Sequence, residues 1–171
     1  MDKRTVWAVC LDLDETLVLT SSLEPLRKAR KWQLVYAEFS KTSLPNGTLE
    51  FIAKLKCDTN ARLAVVTKAP RPYAEKLLAH HRIEIPVEVA YHDVAKVKPD
   101  PEALLLASQK LGIPPRQCIY VGDDAADVKA ARSAGFTPIG VCWGEKRDIG
   151  LGSVCSSWME VYDQIVQVVS R

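Results

Sequence analysis

The sequence predicts an α/β fold: a parallel sheet with a layer of helices on each face. Three observations predict it. Short, almost wholly apolar runs recur along the chain, and such runs are strands covered on both sides. Segments with apolar residues three and four apart lie between them, and two of these stop at glycine. Acidic residues close two of the runs, at strand ends where open α/β sheets collect their ligands.

The first run is Val6 to Leu11, followed by Asp12-Leu13-Asp14-Glu15-Thr16. In a strand, residues i and i+2 share a side, so Asp12 and Asp14 remain neighbours as the chain turns. Two carboxylates side by side are costly unless a cation sits between them. Next comes Leu17 to Leu44, the exception to the alternation. Within it, Glu24 to Phe39 is expected as one helix, with Trp32, Tyr36 and Phe39 on one side and Arg27, Lys28, Arg30 and Lys31 in its first half. It reads either as an ordinary amphipathic helix with a solvated face or as a small lid that meets an anionic substrate. Pro45-Asn46-Gly47 returns the chain to the core.

A helix is expected around Leu49–Leu55, then a strand at Leu63–Thr67 and a helix over Tyr73–His80. A weaker strand, Val87–Ala90, precedes Lys98-Pro99-Asp100-Pro101, which should open a helix running to Leu111 and stopping at Gly112. The fourth strand, Cys118–Gly122, ends in Asp123-Asp124-Ala125-Ala126-Asp127. An alanine-rich helix then runs to Ala134, and Thr137–Cys142 is the fifth strand. After Gly152, Trp158, Val161, Ile165 and Val168 mark a closing helix packed on the body.

Asp123 is placed to face the same crevice as Asp12. Oxygen ligands without histidine or cysteine fit Mg²⁺. Asp124 and Asp127 sit where a helix begins, so helix capping competes with a metal role. Thr67 ends the second strand, where its hydroxyl and nearby N–H groups suit an anion. Lys98 would balance the carboxylates and bind phosphate, whereas Lys96 reads as solvated. Trp143 reads equally as part of the mouth or of the core. His80, His81 and His92 lack the spacing of a zinc site and are expected at the surface.

Bulk properties narrow the partners. The 171 residues are 47% hydrophobic but only 7% aromatic, so aliphatic side chains must fill the core of one expected domain. Twenty-three basic and 21 acidic residues give a net charge of +2, too balanced to imply a nucleic-acid partner. The basic stretch offers charge but no means of reading a base sequence. Five cysteines occur without a CxxC pair, which points to a reducing, cytoplasmic setting. Met1 to Arg4 lacks the apolar follow-on of a signal peptide, and no run approaches a membrane span.

Taken together, Asp12-Leu13-Asp14-Glu15-Thr16-Leu17, Val65-Val66-Thr67, Lys98-Pro99-Asp100-Pro101 and Gly122-Asp123-Asp124-Ala125-Ala126-Asp127 resemble the motifs of the haloacid dehalogenase-like phosphatase superfamily. Ala131-Arg132-Ser133-Ala134-Gly135 and Gly140-Val141-Cys142-Trp143-Gly144 resemble its phosphoglycolate phosphatase branch. The resemblance implies a Rossmann-like, three-layer sheet of order 5-4-1-2-3, with residues 17–44 as a small cap after strand 1. It implies Mg²⁺-dependent phosphomonoester hydrolysis through an aspartyl-phosphate. Asp12 would be the nucleophile, and Asp14 the general acid and later base. Asp12, Asp123 and the backbone carbonyl of Asp14 would hold Mg²⁺, Thr67 and Lys98 the phosphoryl group. Asp127 would orient metal-bound water or Lys98, and Asp124, where the family often has serine, would tighten metal binding or cap a helix. So small a cap favours phosphate groups on larger molecules or a pocket completed by a second copy of the chain. A phosphotransferase or mutase of the same superfamily, and a non-catalytic phosphate-binding scaffold, are the alternatives.

Overall fold

The computed structural model describes residues 6–144 and 148–170. The expectation drawn from Met1 to Arg4 therefore lies outside the described residues. Five parallel strands form one sheet: β1 (Ala8–Leu11), β2 (Arg62–Val66), β3 (Val87–Val89), β4 (Cys118–Gly122) and β5 (Thr137–Gly140). Their order is β3-β2-β1-β4-β5, the expected order read from the other edge.

Alternation along the central strands builds two cores. Val9, Leu11, Val65, Ile119 and Val121 point into the larger one. This core is closed by α3 (Thr48–Asp58), α4 (Arg71–His80) and α7 (Trp158–Val169). On the other face Ala8, Cys10, Ala64 and Cys118 are small. There the alanine-bearing helices α5 (Glu102–Leu111) and α6 (Ala125–Ala134) lie close to the sheet, through Ala103, Ala107, Ala130 and Ala131. The tail closes the larger core as expected. Trp158 stacks on Phe51 at 4.3 Å and its Nε1 donates to Thr48 Oγ1 at 2.8 Å.

The expected helix from Glu24 to Phe39 is instead two: α1 (Glu24–Lys28) and α2 (Trp32–Ala37), followed by a short 3₁₀ turn. The break is a Schellman cap. Arg30 takes the left-handed conformation at φ 54°, Arg30 N–H donates to Arg27 O and Lys31 N–H to Leu26 O, both at 3.0 Å. The turn lets both halves pack against Tyr73, Arg27 of α1 over its ring and Trp32 of α2 beside it. Trp32 and Phe39 meet the Tyr73 ring of α4 at 5.8 and 5.9 Å, while Tyr36 meets Phe39. The neck of the segment is closed by an antiparallel bridge between Leu19 and Ser43.

Other edges moved little. Val6 is exposed, so β1 begins two residues later than expected. β5 ends at Gly140, and Val141 instead bridges to Cys155. Trp143 packs against Trp158 at 4.7 Å, and its Nε1 donates to Thr16 O at 3.0 Å. It is thus a partly buried residue that packs against the core and tethers the loop after β1. His80 and His92 are exposed as expected, but His81 is half-buried against Thr42 Oγ1 at 2.7 Å.

Candidate active site

β1, β2 and β4 are adjacent and parallel, so their carboxyl ends open on the same side of the sheet. A cavity of about 400 Å³ lies there, lined by Asp12, Asp14, Thr67, Asp123 and Asp124 among others. Five residues expected at the site thus meet in one place. Lys98 and Asp127 lie behind the wall, each almost fully buried.

Asp12 continues β1: its N–H donates to Val121 O of β4 at 2.9 Å. Lys98 Nζ reaches Asp12 Oδ1 at 3.1 Å and Asp127 Oδ1 at 2.7 Å, and donates to the Tyr120 hydroxyl at 2.5 Å. Two carboxylates and a hydroxyl thus surround the ammonium. Tyr120 in turn donates to Val66 O at 2.8 Å, next to Thr67. Burial alone would pull the Lys98 titration down, but Asp12 and Asp127 outweigh it and hold the ammonium charged. Burial pushes the Asp12 titration up, with Asp14 adding to it and Lys98 opposing it.

At the end of β4, Asp124 and Asp127 form a reciprocal cap on α6. Asp124 Oδ1 accepts from Asp127 N at 2.8 Å, and Asp127 Oδ2 accepts from Asp124 N at 3.3 Å and Asp123 N at 3.1 Å. Asp124 therefore does cap the helix, and it also pairs with Lys68 at 3.3 Å. Burial works against its charge, but the Asp127 N–H and Lys68 hold its carboxyl below the usual range. Gly122 is needed for this arrangement. A Cβ there would stand 2.4 Å from Asp127 Oδ2.

Asp123 accepts from Thr16 Oγ1 at 3.2 Å. Burial, then Asp12, Asp127 and Asp124, push its carboxyl up to about 7. Burial and Asp12 push Asp127 up to about 6 against the pull of Lys98. Oxygens of Asp12, Asp123 and Asp127 lie within 4.8 Å of one another. So close a set of oxygen donors, each made harder to ionise by the others, fits a hard divalent cation. Asp127 is already committed to Lys98 and two backbone N–H groups. Asp12 and Asp123 line the cavity and are the side chains placed to face such an ion.

Asp14 lines the same cavity but is held by other partners. Its Oδ1 receives Thr20 Oγ1 and Tyr73 OH, each at 2.7 Å, and the Arg27 guanidinium at 2.5 Å. The sequence singled out Arg27 only as part of a basic stretch and passed over Thr20, Tyr73 and Tyr120. Tyr73 stands 59 positions from Asp14, and Tyr120 sits inside an apolar run, so neither carried a local signal. Thr67 Oγ1 accepts from Ala69 N at 3.0 Å, which leaves its O–H to donate into the cavity.

Among known proteins, the model of the family described as haloacid dehalogenase-like hydrolase matches residues 18–141. Phosphoglycolate phosphatase of Escherichia coli (strain K12) is 37% identical over 84 residues, which are 48% of this chain and 33% of that protein. The Salmonella paratyphi A enzyme of the same name is 38% identical over the same shares. The chain thus spans a third of the length of the curated relatives it matches. The fold is similar to that of CbbY from Rhodobacter sphaeroides in complex with phosphate, with a TM-score of 0.75 at 21% identity over 92% of this chain and 96% of that one. It is also similar to that of a putative phosphoglycolate phosphatase from Lactobacillus plantarum, with a TM-score of 0.75 at 18% identity over 93% and 99%. With a family model covering most of its length and these folds beside it, the chain belongs to the haloacid dehalogenase-like hydrolases.

Proposed function

We propose that the chain is an Mg²⁺-dependent phosphomonoester hydrolase that works through an aspartyl-phosphate on Asp12. The observation that carries this reading is the meeting of Asp12 and Asp123 at neighbouring strand ends, with Lys98 seated on Asp12. The names of the relatives, phosphoglycolate phosphatases, support the same class. Asp12 attacks phosphorus, and the bond to the ester oxygen breaks as the bond to Asp12 forms. Asp14 gives its proton to the leaving oxygen, then takes one from the water that cleaves the acyl-phosphate. Thr67 and Lys98 hold the phosphoryl oxygens; an incoming oxygen takes over the Lys98 contact now made by Asp12. Asp127 holds Lys98, and Asp124 holds Asp127 and the start of α6. Asp12, Asp123 and the Asp14 carbonyl would hold Mg²⁺, which supplies charge neutralisation of the phosphoryl group.

On this reading the whole chain is one hydrolase domain, and residues 17–44 are its small cap, presenting Glu24, Arg27 and Trp32 to the cavity. Among the described residues no helix is long and apolar enough to cross a membrane. Five cysteines without a CxxC pair fit a reducing compartment such as the cytoplasm. The direct test is phosphate release from para-nitrophenyl phosphate with Mg²⁺ and with a chelator, followed by a screen of sugar phosphates, nucleotides, phosphopeptides and phosphorylated oligonucleotides. Release that needs Mg²⁺ supports the reading. Failure on every ester would leave the non-catalytic phosphate-binding scaffold in its place.

A further inference from the structure

The three donors on Asp14 come from three separate places. Thr20 precedes the segment's helices, Arg27 belongs to α1, and Tyr73 belongs to α4 of the body. Among the described residues every hydrogen bond or ion pair onto this side chain falls on Oδ1. The other oxygen, Oδ2, is the one left to meet a ligand in the cavity that Asp14 lines. Arg27 is built in rather than passing. Its guanidinium carbon sits 5.7 Å from the centre of the Tyr73 ring, and its side chain and that of Asp14 are each about four-fifths buried. Its Nε is buried without an acceptor among the described residues. A buried donor left unmet is unfavourable, so this pose is held by what Nη1 gains at Asp14.

We propose that Arg27 is a positioning residue for the acid step: it clamps Oδ1 so that Asp14 presents Oδ2 alone to the leaving oxygen. The inserted segment then takes part in the chemistry and is more than a cover. The proposal rests on the phosphatase reading, in which Asp14 protonates that oxygen, and it makes a demand that a purely structural arginine does not. Esters with a poor leaving group, such as an alkyl phosphate, need the proton; para-nitrophenyl phosphate, whose leaving group is stable as an anion, barely does.

The test is kcat/KM for both esters in the wild type, Arg27→Met, Arg27→Lys, Asp14→Asn and the double variant Arg27→Met/Asp14→Asn. This quantity reports the steps through formation of the acyl-phosphate and so excludes the later base step. Arg27→Met is expected to lose at least about tenfold more on the alkyl ester than on the aryl ester, within the range that acid catalysis supplies. Arg27→Lys, which keeps the charge, is expected to recover part of that difference. Once Asp14 is asparagine, removing Arg27 should add no further leaving-group dependence. Equal losses on both esters, or a leaving-group effect of Arg27→Met that persists without Asp14, would overturn the clamp. If the wild type turns over neither ester, it is the phosphatase reading that fails. The acid-step role then falls with it, and a double-mutant cycle on urea unfolding reads only whether the Arg27–Asp14 contact holds the fold.

Discussion

At the residue scale, the site is a set of charges that only make sense together. Lys98 is buried and charged because Asp12 and Asp127 surround it, and Asp127 is tolerable there because Gly122 leaves it room. Asp12→Asn keeps the shape of the side chain but removes the charge of the proposed attacking oxygen. Turnover should vanish, while the circular-dichroism spectrum and the thermal midpoint stay close to wild type. Gly122→Ala pushes a methyl into the Asp127 carboxylate, which is pinned from three sides. It should cost about 1–3 kcal/mol in urea unfolding and weaken Mg²⁺ binding through the displaced cluster. Which residues would gather was legible in the sequence, because Asp12, Thr67 and Asp123 follow apolar runs and Lys98 opens the path to a helix. What each one touches was not. Tyr73 and Arg27 reach Asp14 through the fold, and no spacing rule connects them.

At the element scale, strands and amphipathic helices were readable because their periodicity is local and repeated. The segment after β1 was not, because its course is set by a single residue at a helix end. Arg30 occupies a left-handed position that suits glycine, and nothing in its side chain announces that. Arg30→Gly should therefore stabilise the fold by roughly 0.5–1 kcal/mol in urea unfolding, the relief of left-handed strain less the added freedom of the unfolded chain. Arg30 is exposed and is not among the residues lining the cavity, so kcat should not change. The closing helix makes the opposite point. Ser157 caps α7 by accepting from Glu160 N at 3.3 Å, and a serine ahead of an apolar stripe is a readable start. Ser157→Ala should cost about 1 kcal/mol and, by loosening Trp158 against Phe51 and Trp143, lower the thermal midpoint without altering the Mg²⁺ requirement.

At the scale of the whole molecule, the cluster links stability to pH and, on the proposed reading, to Mg²⁺. Asp123 and Asp127 titrate at about 7 and about 6 in the folded chain, against an ordinary value of 3.8. Folded carboxyls that bind protons more tightly than unfolded ones make the protein lose stability as pH rises through that window. Without Mg²⁺, the thermal midpoint should fall between about pH 4 and about pH 7 on account of this cluster, then level off. Saturating Mg²⁺ should raise it, and by more at pH 7.5 than at pH 5, because a cation competes with those protons. A midpoint that responds equally at both pH values would place the ion away from Asp123. The central claim, however, concerns a bond. Acid quenching during turnover of para-nitrophenyl phosphate, then peptide mass spectrometry, should find a phosphoryl group on the peptide that contains Asp12, removable by hydroxylamine as an acyl-phosphate is. Turnover with no phosphorylated peptide, or with the group on another residue, would contradict it.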